Sequence, residues 1–237
     1  MSLLTVAQYL CGRTGIPVPD SVLGTTDQQV RQVLRLIEEE GNDLSLRGLW
    51  SGLVLEATLT TVATASQGAM TTLASNGFRY ILNDTIWDRT NKLPVCGPMD
   101  APEWQAIQAL TWTGPRYRYR IRGGNLLITP TPTAGYSWAF EYVSKNWILG
   151  IDGTTYKQYF TLDTDTILLP EELVLMGVRW RWKKEKNLDY AEDFRTYETQ
   201  VKDALGRDGG KPHLHMDDEG WRGPVPGIFV SPGSWNV

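Results

Sequence analysis

The sequence predicts an α+β fold in which helices from both ends of the chain build one bundle, an antiparallel β region, sandwich or barrel-like, is inserted between them, and an extended C-terminal arm follows. Three observations predict it. Apolar residues recur at helical spacing near the N-terminus and again after residue 165. They alternate at strand spacing between Trp50 and about Thr164, among dense β-branched residues. After Gly206 they lose all period among prolines and glycines. The expected boundaries are 1–48 with 165–208 for the bundle, 49–164 for the β region and 209–237 for the arm.

Ser2 to Arg13 forms a short helix with Val6, Tyr9 and Leu10 on one side, broken by the Gly15-Ile16-Pro17-Val18-Pro19 segment. Thr26 followed by Gln29 has the form of a capping box, and Val30, Val33, Leu34 and Ile37 fall at i, i+3, i+4 and i+7. The pattern predicts a helix to about Glu40 that stops at Gly41.

Leu53, Leu55, Ala57 and Leu59 alternate with Val54, Glu56, Thr58 and Thr60, which predicts a first strand. Further strands are expected at 61–65, 79–83, 86–88, 116–122, 126–129, 138–143 and 159–162, with turns at Asn76-Gly77, Gly123-Gly124 and Asp152-Gly153. Arg116, Arg118, Arg120 and Arg122 alternate with Tyr117, Tyr119 and Ile121, so one strand carries arginine on one face. Gly123-Gly124 then turns into Leu126-Leu127-Ile128, the clearest hairpin in the chain. Asp100-Ala101-Pro102 starts a short helix to about Leu110.

Pro170-Glu171-Glu172 opens a helix that runs to about Lys186 and ends in cations, matching both poles of the helix dipole. After Asn187-Leu188-Asp189, a second helix carries Tyr190, Phe194, Tyr197, Val201 and Leu205 on one stripe. The short loop makes the pair an antiparallel hairpin. Gly177, among large residues, marks a close helix crossing within the bundle or between subunits. The tail beyond holds Trp221, Ile228, Phe229 and Trp235, anchors suited to a neighbour's groove or to the chain's own surface.

Chemistry is sparsely represented. The only histidines, His213 and His215, sit in the tail, which offers no base for a serine-type triad. With Asp217 and Asp218 they form a loop mixture better read as a solvated acidic turn than as a metal site. Glu38-Glu39-Glu40 and Glu171-Glu172 are expected on a solvated helix face and a helix N-terminus respectively. Neither glycine pair fits a nucleotide-binding loop, and Cys11 and Cys96 lie far apart as free thiols. No enzymatic activity, cofactor or metal is implied.

A net charge of −4 gives no global attraction for nucleic acid or anionic membrane, and no run approaches the roughly 20 apolar residues of a membrane span. The local basic runs at 116–122 and 179–184 suit an acidic partner or a phosphate backbone, although the second reads equally as the solvated end of a helix. Ten tryptophans and ten tyrosines point to an aromatic core and to buried interface centres.

Leu3-Leu4-Thr5, the Val30-Val33-Leu34-Ile37-Glu38-Glu39 helix, Leu168-Leu169-Pro170-Glu171-Glu172-Leu173, the Gly177 to Lys183 segment and the Tyr190 to Leu205 helix together carry a family likeness. In them the chain resembles the head-to-tail adaptor proteins of short-tailed bacteriophages. The resemblance covers roughly residues 1–48 and 165–206. It implies a ring, usually twelve-fold, beneath the portal protein in the virion, docked below to tail or nozzle proteins and passing DNA without sequence-specific binding. Trp221, Ile228, Phe229 and Trp235 would then anchor the arm on the portal, and Trp180, Trp182, Tyr190, Phe194 and Tyr197 would make subunit or bundle contacts. Arg116, Arg118, Arg120 and Arg122 would face the channel or a partner. Two other functions fit the composition: another virion component with a β-sandwich domain, and a carbohydrate-binding module presenting Trp138 or Trp147.

Overall fold

The structure, a computed structural model, describes residues 1–110 and 116–209. Its described residues form six helices and three open antiparallel sheets, an α+β fold with no closed barrel.

Helix α1 (Leu3–Thr14) is capped by the Ser2 hydroxyl, which accepts from the Thr5 amide, and ends at Gly15 in the left-handed conformation. Helix α2 (Gln28–Arg47) starts at Asp27, whose carboxylate accepts from the Gln29 amide, rather than at Thr26. It does not stop at Gly41. Trp147 packs flat where a Cβ would stand, so the glycine is required for close packing while the helix continues to Arg47.

The β region begins with β1 (Val54–Thr60) and β2 (Ser66–Ala69), followed by the one-turn helix α3 (Met70–Leu73). Next come β3 (Phe78–Ile81), β4 (Trp87–Asp88), β5 (Leu93–Pro94) and helix α4 (Ala101–Ala109), capped by Asp100. Strands β6 (Arg118–Arg122) and β7 (Asn125–Thr129) form the expected hairpin around Gly123-Gly124, with Arg118 opposite Thr129 and Arg122 opposite Asn125. The long strand β8 (Ser137–Ser144) pairs with β1 along one edge and with both β3 and β4 along the other. Short strands β9 (Ile148–Leu149), β10 (Tyr156–Lys157) and β11 (Thr166–Ile167) make a small third sheet. The expected strands at 61–65 and 159–162 are not formed. Thr61 instead spends its amide and hydroxyl on the 133–136 loop, and the Thr161 and Leu162 amides donate to the Asp165 carboxylate.

Helices α5 (Glu171–Glu185) and α6 (Ala191–Asp208) form the expected antiparallel hairpin, and Pro170 is the residue before the first turn. The N-terminus of α1 is tied to the chain just before α5: the amides of Leu3 and Leu4 donate to Asp165 and Asp163, and Ser2 bridges to Thr166.

Two hydrophobic clusters result. One gathers α1, α2, α5 and α6 with Trp50, Val143, Trp147, Ile148 and Phe160, so the helices complete their core with residues from the end of β8 and the small sheet. The other lies between the sheet β2-β7-β6, contributing Tyr119, Leu126 and Ile128, and the β1-β8 sheet, contributing Ala57, Leu59, Trp138, Phe140 and Tyr142. The Tyr117 and Trp138 rings, with centroids 5.1 Å apart, connect the two layers.

Candidate interaction surface

Of the cations of α5, Arg181 is drawn inside the bundle and Arg179 and Lys183 are half-buried, whereas Lys184 and, just past the helix, Lys186 are exposed, so only the last of the basic run forms the solvated helix end. Arg181, only 8% exposed, donates from Nε to Glu40 at 2.7 Å, from Nη1 to Glu39 at 2.7 Å and from Nη2 to Asp43 at 2.8 Å. Tyr197 of α6, fully buried, donates its hydroxyl to the other Glu40 oxygen at 2.5 Å. Arg47 bridges Asp43 and Glu198 and lies over the Tyr197 ring. Glu38 and Glu40 are therefore buried rather than solvated, a correction to the expectation from their i, i+1, i+2 run. Burial raises the Glu40 carboxyl above its ordinary value, against the hydrogen bonds from Tyr197 and Arg181 that lower it. Burial and the neighbouring Glu40 charge likewise push the Tyr197 hydroxyl up, so it remains a donor.

Gly177 faces this cluster across the α2–α5 crossing, where a Cβ would overlap the Glu40 carboxylate, so its close approach lies inside the bundle. One turn on from Gly177, Trp180 is 6% exposed and packs edge-on against Phe194 at 5.0 Å, beside Tyr190 and Tyr197. Arg181 and Lys184 lie over its indole, Lys186 lies over that of buried Trp182, and Arg179 and Lys183 pair with Asp193. Tyr190 and Phe194 remain 37% exposed, with Leu188 at 55%, so the α5–α6 turn presents a small apolar surface backed by Trp180.

The arginines of β6 take their expected side of the strand. Arg116 and Arg122 are exposed, Arg118 and Arg120 half-buried, and Tyr119 is buried on the opposite face, where burial raises its hydroxyl pKa. Trp221, Ile228, Phe229 and Trp235, with His213, His215, Asp217 and Asp218, lie outside the described residues.

Trp138 and Trp147 are both 0% exposed, which removes them as sugar-stacking platforms. No group of three or more His, Cys, Asp and Glu side chains is placed to hold a metal ion among the described residues. No described helix is long and apolar enough to cross a membrane.

Sequence reasoning missed the Glu40–Arg181–Tyr197 cluster because its members lie 141 and 157 residues apart. The available signal was the placement of Glu40 three residues after Ile37 and four before Leu44, on the apolar stripe of α2.

No curated protein matches the chain. The family model described as SU10 adaptor protein matches residues 2–225, spanning the inserted β region as well as both helical parts. Helices from both ends of the described chain thus close one bundle, with the charged cluster holding α2 against α5 and α6. The chain belongs to the SU10 adaptor protein family of phage head–tail adaptors.

Proposed function

We propose that this phage structural adaptor forms a twelve-copy ring beneath the portal, continues the DNA channel without reading sequence, and offers its lower surface to tail or nozzle proteins. The observation that carries this reading is the family match across residues 2–225. The cluster that most resembles an acidic catalytic site supports it, because Glu39, Glu40 and Asp43 are all engaged by Arg181 in bracing α2 against α5. In this reading, 1–48 with 165–208 act as the bundle domain, 49–164 as an inserted β domain and 209–237 as the arm.

Trp221, Ile228, Phe229 and Trp235 anchor the arm on the portal. Tyr190 and Phe194 form a contact edge on the bundle, stiffened from beneath by Trp180 and Tyr197, while Trp182 serves the bundle core. Arg116, Arg118, Arg120 and Arg122 meet a partner or the channel. The subunits are made in the host cytoplasm and are monomers until the portal gathers them, since rings formed alone would be dead ends.

Co-sedimentation of the full chain, and of a chain truncated after Gly210, with the portal ring of the same phage tests the proposal. Binding lost on truncation supports both the role and the arm as its anchor. Binding by both forms moves the contact to the bundle. Binding by neither removes the portal-docking role.

A further inference from the structure

The two larger sheets pack through Tyr119, Leu126 and Ile128 on one side and Trp138, Phe140 and Tyr142 on the other, so their outer faces look in opposite directions. Those faces carry opposite charge. On the outer face of β6, Arg120 and Arg122 stand beside Leu127 and Asn125 of β7, and Arg116 is exposed just before the strand. Arg116, Arg120 and Arg122 have no ion pair or hydrogen bond from their side chains to another described residue.

Across the sandwich, Glu56 of β1 and Glu141 of β8 sit directly opposite one another in register, both exposed. Like charges in that position destabilise a strand pair. Arg89 pairs with Glu56 at 2.7 Å, and Glu141 has no cation partner among the described residues. With Asp84 and Trp87, these groups line an open cleft of about 350 Å³.

We infer that the arginine face of one copy docks on the carboxylate face of the next, with Arg116, Arg120 and Arg122 seated toward Glu56, Asp84 and Glu141. Two different patches on opposite sides of one domain make a head-to-tail contact, the kind that closes a ring when the rotation between copies permits. The same charges reject the wrong pairing, because arginine face against arginine face and carboxylate against carboxylate both repel. Leu127 and Trp87 supply apolar contact beside the charges of each patch. This inference rests on the ring proposed above and specifies its subunit contact.

The test uses two full-length variants. Arg116→Glu, Arg120→Glu and Arg122→Glu together make both outer faces acidic, and Glu56→Lys with Glu141→Lys makes both basic. Each alone is expected to load the portal ring about tenfold less than wild type, and an equimolar mixture to load normally as an alternating ring. The mixture also shows that both variants are folded. Normal loading by either variant alone, or failure of the mixture while wild type loads, overturns the inference.

If wild type itself fails to load, the portal reading has failed, and a second measurement still decides the contact. Concentrated Arg122→Lys protein, mixed from ordinary and isotope-labelled copies, is treated with a carbodiimide that joins amine to carboxylate. A linked peptide joining position 122 of one copy to Glu56, Asp84 or Glu141 of another is expected. Its absence, with other links between copies present or with none, overturns the contact.

Discussion

Gly177 of α5 lies directly against the carboxylate of Glu40 in α2, in the space a Cβ would fill. That carboxylate cannot swing aside, because Arg181 holds one oxygen and Tyr197 the other in a site with no solvent exposure. Gly177→Ala would gain about 1 kcal/mol from helix propensity alone. The crowding is expected to reverse this and leave the variant about 1–3 kcal/mol less stable. Urea unfolding measures it, and a variant more stable than wild type would show that the crossing relaxes freely.

Arg181, Glu40 and Tyr197 are expected to act as one unit. Arg181→Met removes the cation from a buried carboxylate and is expected to cost about 3–5 kcal/mol. Tyr197→Phe keeps the ring contacts and loses the hydrogen bond, for about 1–3 kcal/mol. Denaturant unfolding of the double variant is expected to show less than the sum of the two losses, and strict additivity would mean that the three groups are independent.

Asp163 gives the fold an acid-sensitive clasp. Burial alone would raise its carboxyl, but hydrogen bonds from the Ser21 hydroxyl and the Leu23 and Val22 amides bring it below the ordinary value. A depressed folded-state pKa stabilises above the unfolded value, about 3.9, and that contribution is lost as pH falls through the folded value. Asp163→Asn is expected to cost about 1–2 kcal/mol near neutral pH. The gap between wild type and variant should close as acid unfolding proceeds, and a gap independent of pH would refute the linkage.

The two thiols are expected to react at different rates. Cys11 is fully buried, and burial, followed by the Asp27 charge, raises its pKa, whereas Cys96 is partly exposed. A disulfide reagent on native protein should modify Cys96 first and reach Cys11 only in denaturant. Equal rates would show that α1 opens readily.

Features with local causes were legible in the sequence. Asp100 and Gly123-Gly124 marked a helix start and a hairpin because their chemistry acts within a few residues. The same local logic misread Gly41 as a helix stop, since only Trp147, more than 100 residues later, explains a glycine there. It placed Glu40 in water and left Arg181 between solvent and a partner, because neither shows its place until the other is folded against it. Tyr159 to Leu162 had strand composition, but a single aspartate, Asp165, captures its amides. Long-range partners were the invisible part, and they set the cores and the buried charges.

The tie between the first residues of α1 and residues 163–167 has a bearing on how the polypeptide leaves the ribosome. Helices α1 and α2 precede the rest of the bundle yet lack α5, whose Arg181 follows Glu40 by 141 residues, to complete the cover of their core. The β1–β8 pairing closes earlier, so the nascent chain completes its middle before its beginning. Until α5 arrives, the exposed apolar stripe of α2 is the segment a chaperone would hold.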